Sequence, residues 1–140
     1  MKKDEKIAHL ANVPLFSGFS RRDLGLVARH LDQVDVPEGT ELTTEGQESR
    51  QFGIIVDGSA VVRRNKRKLA DLGPGDFFGE MALLLRQKAS ASVTTTSDSE
   101  ILVMRSRDFG RLLDDVPALS RKLAVGLAER LLEADRKLTV

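Results

Sequence analysis

Residues 73–93 are GPGDFFGEMALLLRQKASASV, the stretch on which the interpretation of the fold depends. A strand is predicted to end at the glycines of Gly73-Pro74-Gly75, a short apolar helix to open at Gly79, and a polar loop to lead into the next strand. Amides at the start of a short helix have no intrahelical acceptor and lie at the positive end of the helix dipole, so a phosphate can accept their hydrogen bonds. Gly79 allows close approach, whereas Glu80 would repel a phosphate and suits a sugar hydroxyl. The stretch therefore indicates an anion site in outline.

On both sides of this stretch, apolar residues alternate with a period of two in short runs that end at turn residues. This pattern is typical of a β meander and not of a βαβ series. Residues 59–64 and 68–72 are predicted to pair as a hairpin across Asn65-Lys66. About eight short strands are expected in total, and the strand-like runs lie near residues 34–36, 42, 52–56, 59–64, 68–72, 91–95 and 101–104.

Helical patterns flank the strands. Residues 2–31 contain two helical runs, and the second begins at Ser20, with the spacing of a capping serine and an acid three residues later. Helices are expected again from Ser106 and from about Pro117, with the last one running close to the C-terminus. The prediction is an α+β, mainly β, single domain over residues 1–140, with N-terminal helices at 1–31, a β roll at 32–105 and C-terminal helices at 106–138.

Composition excludes several classes of site. The chain has 140 residues, a formal net charge of +1 and no cysteine, so disulfide frameworks, thiolate zinc sites and cysteine nucleophiles are excluded. His9 and His30 are remote from any acid-rich loop, and we expect no metal, no cofactor and no catalytic role for them. The charged start and an apolar run of only residues 81–85 argue against a signal peptide and a membrane span. We expect a cytoplasmic, membrane-free, non-enzymatic protein.

Three motifs together resemble a known family. The run GDFFGEMALL at residues 75–84 resembles the phosphate-binding cassette of cyclic-nucleotide-binding domains, as in catabolite activator proteins and protein kinase A regulatory subunits. PLFSGFS at residues 14–20 and IIVDGSAV at residues 54–61 also match that family. The resemblance implies an eight-stranded antiparallel β jelly roll (a double-stranded β-helix), with a short cassette helix and flanking helices, that holds cAMP or cGMP. We call residues 75–93 the cassette.

The resemblance also implies roles for single residues. Glu80 would hold the ribose 2′-hydroxyl, and the base would lie against aliphatic side chains, which are Val62, Leu69 and Leu72. The phosphate would lie against the cassette residues Gly79, Met81, Ala82, Ala89 and Ser90.

One position departs from the family pattern. The family has an arginine directly before the position of Ser90, and this chain has Ala89. Loss of a charge-assisted bidentate partner costs on the order of 2–5 kcal/mol, or roughly 30- to several-thousand-fold in affinity. Lys88 and Arg86 are candidates for a compensating charge. If the chain is extended at Lys88, however, that side chain points away from the face of residue 89.

Two functions therefore stay open. The first is a regulatory domain that binds a cyclic nucleotide and signals through its C-terminal helix to a separate effector protein. The second is a degenerate fold with weak or no nucleotide binding that acts as a protein-interaction module. We expect no direct DNA binding, because the chain ends at Val140 and regulators of this family need roughly sixty further residues for it.

Two surface features have more than one interpretation. Residues 63–68 place five basic side chains at a predicted hairpin tip. This tip either touches nucleic acid or an acidic partner, or is merely solvated. The leucine stripe of the last helix either packs on the domain itself or forms a weak homodimer with a second copy.

Overall fold

The computed structural model describes residues 1–138, so residues 139 and 140 of the predicted domain lie outside the described part. The N-terminal region contains α1 (Lys3–Ala11), a 3-10 turn (Pro14–Phe16) and α2 (Arg21–Arg29). The Ser20 hydroxyl accepts a hydrogen bond from the Asp23 amide at 3.1 Å. This bond confirms the predicted cap at the start of α2.

Eight strands follow the N-terminal helices, and the residue ranges are β1 (Asp32–Val36), β2 (Glu41–Thr43), β3 (Gln51–Asp57), β4 (Ala60–Arg64), β5 (Arg67–Leu72), β6 (Phe77–Phe78), β7 (Ser92–Thr95) and β8 (Ser99–Arg105). They form two four-stranded sheets, ordered β1-β8-β3-β6 and β2-β7-β4-β5. All strand pairs are antiparallel. The predicted eight-stranded antiparallel jelly roll is confirmed.

The hairpin of β4 and β5 turns where the sequence predicts it. Asn65 and Lys66 have φ values of 51° and 66°, as the two central residues of a type I′ turn require. Within the hairpin, Arg64 pairs with Arg67 and Ala60 with Leu72. This hairpin places the basic tip at one end of the second sheet.

Three helices follow from the cassette onward: α3 (Glu80–Leu85), α4 (Ser106–Asp115) and α5 (Pro117–Leu138). The larger apolar core lies between the helices and the first sheet, where the rings of Phe52 and Phe109 stack with centroids 4.9 Å apart. A smaller core, which includes Ile55, Phe78 and Val93, lies between the two sheets. The cassette borders this smaller core.

Helix α5 differs along its length. Leu119 and Leu123 in its first half are buried, whereas Leu131 and Leu132 in its second half are exposed. The leucine stripe therefore packs on the domain only at the start of the helix. No helix within residues 1–138 combines the length and the apolar character that crossing a membrane requires.

Candidate functional site

A cavity of about 340 Å³ lies between the cassette and strands β4, β5 and β7. Its volume is at the lower end of the range for small-molecule sites, about 300–1,000 Å³. The structure brings to this cavity nine of the residues that the family resemblance singles out, namely Val62, Leu69, Leu72, Gly79, Glu80, Met81, Ala82, Ala89 and Ser90. We call it the cassette cavity.

Gly79 and Glu80 form what we call the helical end of the cassette, and Gly79 comes first. Its backbone is left-handed, with φ at 90°, and a β-carbon added to it would lie 2.3 Å from the Gln51 carbonyl oxygen. Both facts require glycine at this position. The Leu83 amide donates to the Gly79 carbonyl at 3.4 Å, and Gly79 is the N-cap of α3.

Glu80 is the first residue of α3, and only 5% of it is exposed. A carboxylate in the first turn of a helix is favoured by the helix dipole. Glu80 lines the cassette cavity and also a second cavity, which it shares with Leu123 and Gly126 of α5. Carboxylate oxygens accept hydrogen bonds, so Glu80 can hold a ligand hydroxyl in the cassette cavity.

The loop end of the cassette, Lys88 to Ser90, begins with extended backbone. The Ala89 amide donates to the Gln47 carbonyl at 2.9 Å, and the Ala89 carbonyl accepts from the Gly46 amide at 2.9 Å. Lys88 is opposite Glu48 in an antiparallel bridge. Ala89 is 8% exposed and lines the cassette cavity. The side chain of residue 89 therefore faces the site, as the family resemblance implies.

The structure does not bring Arg86 and Lys88 to the cassette cavity. Both line a separate groove, which also contains the basic residues Arg50, Arg107 and Arg111. Side chains alternate along an extended chain, so Lys88 points to the opposite side from Ala89. Arg86 ends α3 with a left-handed backbone, φ 54°. Neither of the two predicted compensating charges thus lines the site.

Arg64 is the arginine that does line the cassette cavity. It is the last residue of β4, and its Nε donates to the Ser90 carbonyl at 2.9 Å. Sequence reasoning placed Arg64 in the basic tip and missed its position at the site. The sequence signal that could have indicated this position is the spacing of Arg64 two residues after Val62, because residues two apart on a strand share a face.

Hydrogen bonds from β2 and from the loop after it fix the segment after Ser90. Thr43 donates through its hydroxyl to the Ala91 carbonyl at 3.2 Å, and the Glu45 amide donates to the Ser92 hydroxyl at 2.9 Å. Within residues 1–138, no group of three or more acidic or histidine side chains is placed to hold a metal ion. The site is thus a mixed cavity that a carboxylate, an arginine and aliphatic side chains line together.

Known proteins with the same architecture were found by sequence and by structure. The cyclic AMP receptor protein of Thermus thermophilus is 32% identical over 130 residues, which cover 89% of this chain and 60% of that protein. The crystal structure of Thermus thermophilus catabolite activator protein superimposes with a TM-score of 0.83 at 32% identity, covering 90% of this chain and 62% of that one. The regulatory subunit of a cAMP-independent protein kinase A from Trypanosoma brucei superimposes with a TM-score of 0.76 at 25% identity, covering 87% of this chain and 47% of that one.

The chain thus spans about 60% or less of the length of these relatives. The model of the family described as "Cyclic nucleotide-binding domain" matches residues 33–116, more than half of the chain. The matched range contains the seven strands from β2 to β8, most of β1, the whole cassette and α4. This chain belongs to the cyclic nucleotide-binding domain family and is related to catabolite activator proteins and protein kinase A regulatory subunits.

Proposed function

We propose that this chain is a regulatory domain that binds cAMP or cGMP in the cassette cavity. Members of its family are typically non-catalytic regulatory modules. The observation that carries the proposal is the composition of the cavity, where the start of α3, a buried carboxylate and an aliphatic wall meet in one space. Each of these three parts matches one part of a cyclic nucleotide.

The phosphate is assigned to the backbone of Gly79, Met81 and Ala82 and to Ser90. The amides of residues 80–82 precede the first hydrogen bond within α3, which the Leu83 amide makes, and such amides are donors for an anion. Ala89 lies beside Ser90 and contributes no charge. A positively charged side chain near the phosphate therefore has to come from outside the loop end of the cassette.

The ribose and the base are assigned to the other two parts of the cavity. Glu80 accepts the hydrogen bond of the ribose 2′-hydroxyl, as a buried carboxylate can do at short range. The base lies against Val62, Leu69 and Leu72, all of which line the cavity. Leu69 is 47% exposed in the structure, so a base that covers it would remove apolar surface from water.

The route from the ligand to an effector starts at Glu80. This residue lines both the cassette cavity and the second cavity, of about 250 Å³, against α5. A hydroxyl that binds Glu80 changes the environment of a carboxylate next to Leu123 and Gly126 of that helix. We propose that ligand occupancy alters the packing of α5 and is signalled in this way to a separate effector protein.

A second function is supported by Ala89. Without the cassette arginine, a fold of this family can act as a protein-interaction module that binds nucleotide weakly or not at all. The Trypanosoma brucei relative is, by its name, the regulatory subunit of a cAMP-independent kinase. The second half of α5, with Leu131 and Leu132 exposed, is available for contacts with a partner or a second copy.

A titration distinguishes the two functions. Trp and Tyr are absent, so binding of cAMP and cGMP is followed by amide NMR shifts and by calorimetry. Nucleotide binding predicts saturable shifts concentrated in residues 79–92. If millimolar nucleotide moves none of these amides, and if Ala89→Arg creates micromolar binding that the parent lacks, the interaction module is the function. Equal affinity of parent and Ala89→Arg would show that another group already supplies the charge.

A further inference from the structure

The basic tip of the β4–β5 hairpin places one of its five cations at the cassette cavity. We propose that Arg64, at the end of β4, supplies the positive charge for the ligand phosphate that Ala89 cannot supply. The inference rests on the proposed function and assigns its phosphate contact to a different element of the fold. It commits the site to a ligand with a phosphate and not to an uncharged nucleoside.

The strand geometry explains why Arg64 reaches the cavity and its neighbour Arg63 does not. Val62 is opposite Val93 and Arg63 is opposite Ser92 in the ladder with β7. Alternation along β4 puts Val62 and Arg64 on the same face, and both line the cavity whereas Arg63 does not. Continuing the antiparallel register by one residue brings Arg64 to the segment just after Ala89.

The bond to Ser90 holds the guanidinium at the loop end of the cassette. Arg64 uses Nε to donate to the Ser90 carbonyl at 2.9 Å. A guanidinium has five N–H donors in a planar fork, so this bond leaves the terminal nitrogens to bind an anion in a bidentate manner. The carbonyl belongs to the residue that follows Ala89, so the charge lies next to the position where the family has its arginine.

Competing carboxylates are engaged elsewhere. Among the residues that the structure describes, no acid forms an ion pair with Arg64. Glu45 accepts a hydrogen bond from the Asn65 amide at 2.9 Å. Lys68 of the same hairpin pairs with Asp71 at 2.6 Å. The charge of Arg64 is thus available to a ligand.

The test compares two matched variants of the hairpin. Arg64→Gln and Arg63→Gln remove the same charge at adjacent residues of β4, but only the first removes it from the cavity. A hydrogen bond to a charged group contributes about 1.5–3 kcal/mol, which corresponds to about 10- to 150-fold in affinity. We expect Arg64→Gln to weaken cAMP and cGMP binding by this factor in calorimetry, and Arg63→Gln to change it by less than about threefold.

Two further measurements separate a phosphate contact from a structural effect. Adenosine and guanosine lack the phosphate, so their affinity is expected to be the same for the parent and Arg64→Gln. Adding Ala89→Arg to Arg64→Gln is expected to restore cyclic-nucleotide affinity, because it returns a cation to the same end of the cavity. Circular dichroism of each variant reports whether the fold is kept.

The outcomes separate this inference from the proposed function. If the parent binds cyclic nucleotide and Arg64→Gln binds it equally well, the role of Arg64 is overturned and the binding function stands. An equal loss of nucleoside affinity in Arg64→Gln would also overturn it, since the residue would then only shape the pocket. If neither the parent nor Ala89→Arg binds cyclic nucleotide, the proposed function fails together with the inference.

Discussion

The cassette has a helical end, at Gly79 and Glu80, and a loop end, at Lys88 to Ser90. The two ends differ in whether side-chain identity or backbone hydrogen bonding determines their structure. At the helical end glycine is required at position 79, because Gly79 has a positive φ against the Gln51 carbonyl, and the next residue, Glu80, is buried. At the loop end the backbone of Ala89 makes the structural bonds, to Gln47 and Gly46. Any residue except proline can make both of those bonds.

The difference shows which part of the site can change without loss of the fold. The alanine at position 89 makes these backbone bonds and contributes no charge to the cavity. The helical end has no such freedom, since a change at Gly79 alters the backbone itself. The cavity can therefore keep its shape while the side chain at position 89 changes.

The largest effect is expected from Gly79→Ala. A β-carbon at this position would lie 2.3 Å from the Gln51 carbonyl oxygen, on a residue with φ at 90°. Left-handed strain and overpacking together cost about 2–6 kcal/mol. Since small domains have only about 5–15 kcal/mol in all, the urea midpoint measured by circular dichroism should fall sharply.

Gly73→Ala is the matched control at the start of the same stretch. A β-carbon at Gly73 meets no atom within 4 Å, and we expect the free energy of unfolding to change by less than about 1 kcal/mol. Equal destabilisation by the two substitutions would contradict the special requirement for glycine at the helical end.

A smaller effect, on ligand discrimination, is expected from Glu80→Gln. The parent should bind 2′-deoxy-cAMP about 10- to 150-fold more weakly than cAMP, because the deoxy ligand cannot donate to the Glu80 carboxylate. Glu80→Gln keeps the shape of the side chain and removes its charge, so the ratio of the two affinities in calorimetry should shrink to a few-fold.

Asp76→Asn provides the control within the cassette. Asp76 accepts a hydrogen bond from the Gly73 amide at 2.8 Å and does not line the cassette cavity. Its variant should keep the full preference for cAMP over 2′-deoxy-cAMP. Full discrimination in Glu80→Gln would remove Glu80 from the ribose contact.

Features that depend on local sequence were predictable. The cap at Ser20, the turn at Asn65 and Lys66 and the alternating strands follow from residue type and spacing, and the structure confirms them. Strand β6 was not predictable in this way. It has only two residues, Phe77 and Phe78, which pair with Ile54 and Gly53, and a run of two cannot show a period.

The residues of the site differ in the same way: some belong to a continuous motif in the sequence, and another reaches the site only through the pairing of distant strands. Gly79 and Glu80 were identified because the helical end is a continuous motif, and the structure brings them to the cavity. Arg64 was missed because its partner, the Ser90 carbonyl, is 26 residues away in the chain. Only the pairing of β4 with β7 brings the two together, and a basic hairpin tip gives no sign of that pairing.

The smallest effects are expected from substitutions of two cations of the cassette, Lys88 and Arg86. Both line the basic groove on the other side of the chain from the cavity, so Lys88→Ala should change cyclic-nucleotide affinity by less than about threefold.

Arg86→Gly should also preserve affinity and should raise the free energy of unfolding by up to about 1 kcal/mol, because glycine adopts the φ of 54° without strain. Calorimetry and urea unfolding check the two expectations. If Lys88→Ala loses as much cyclic-nucleotide affinity as Arg64→Gln does, the loop end of the cassette supplies positive charge to the phosphate. The contrast between a loop that contributes only backbone bonds and a strand, β4, that contributes the charge would then be wrong.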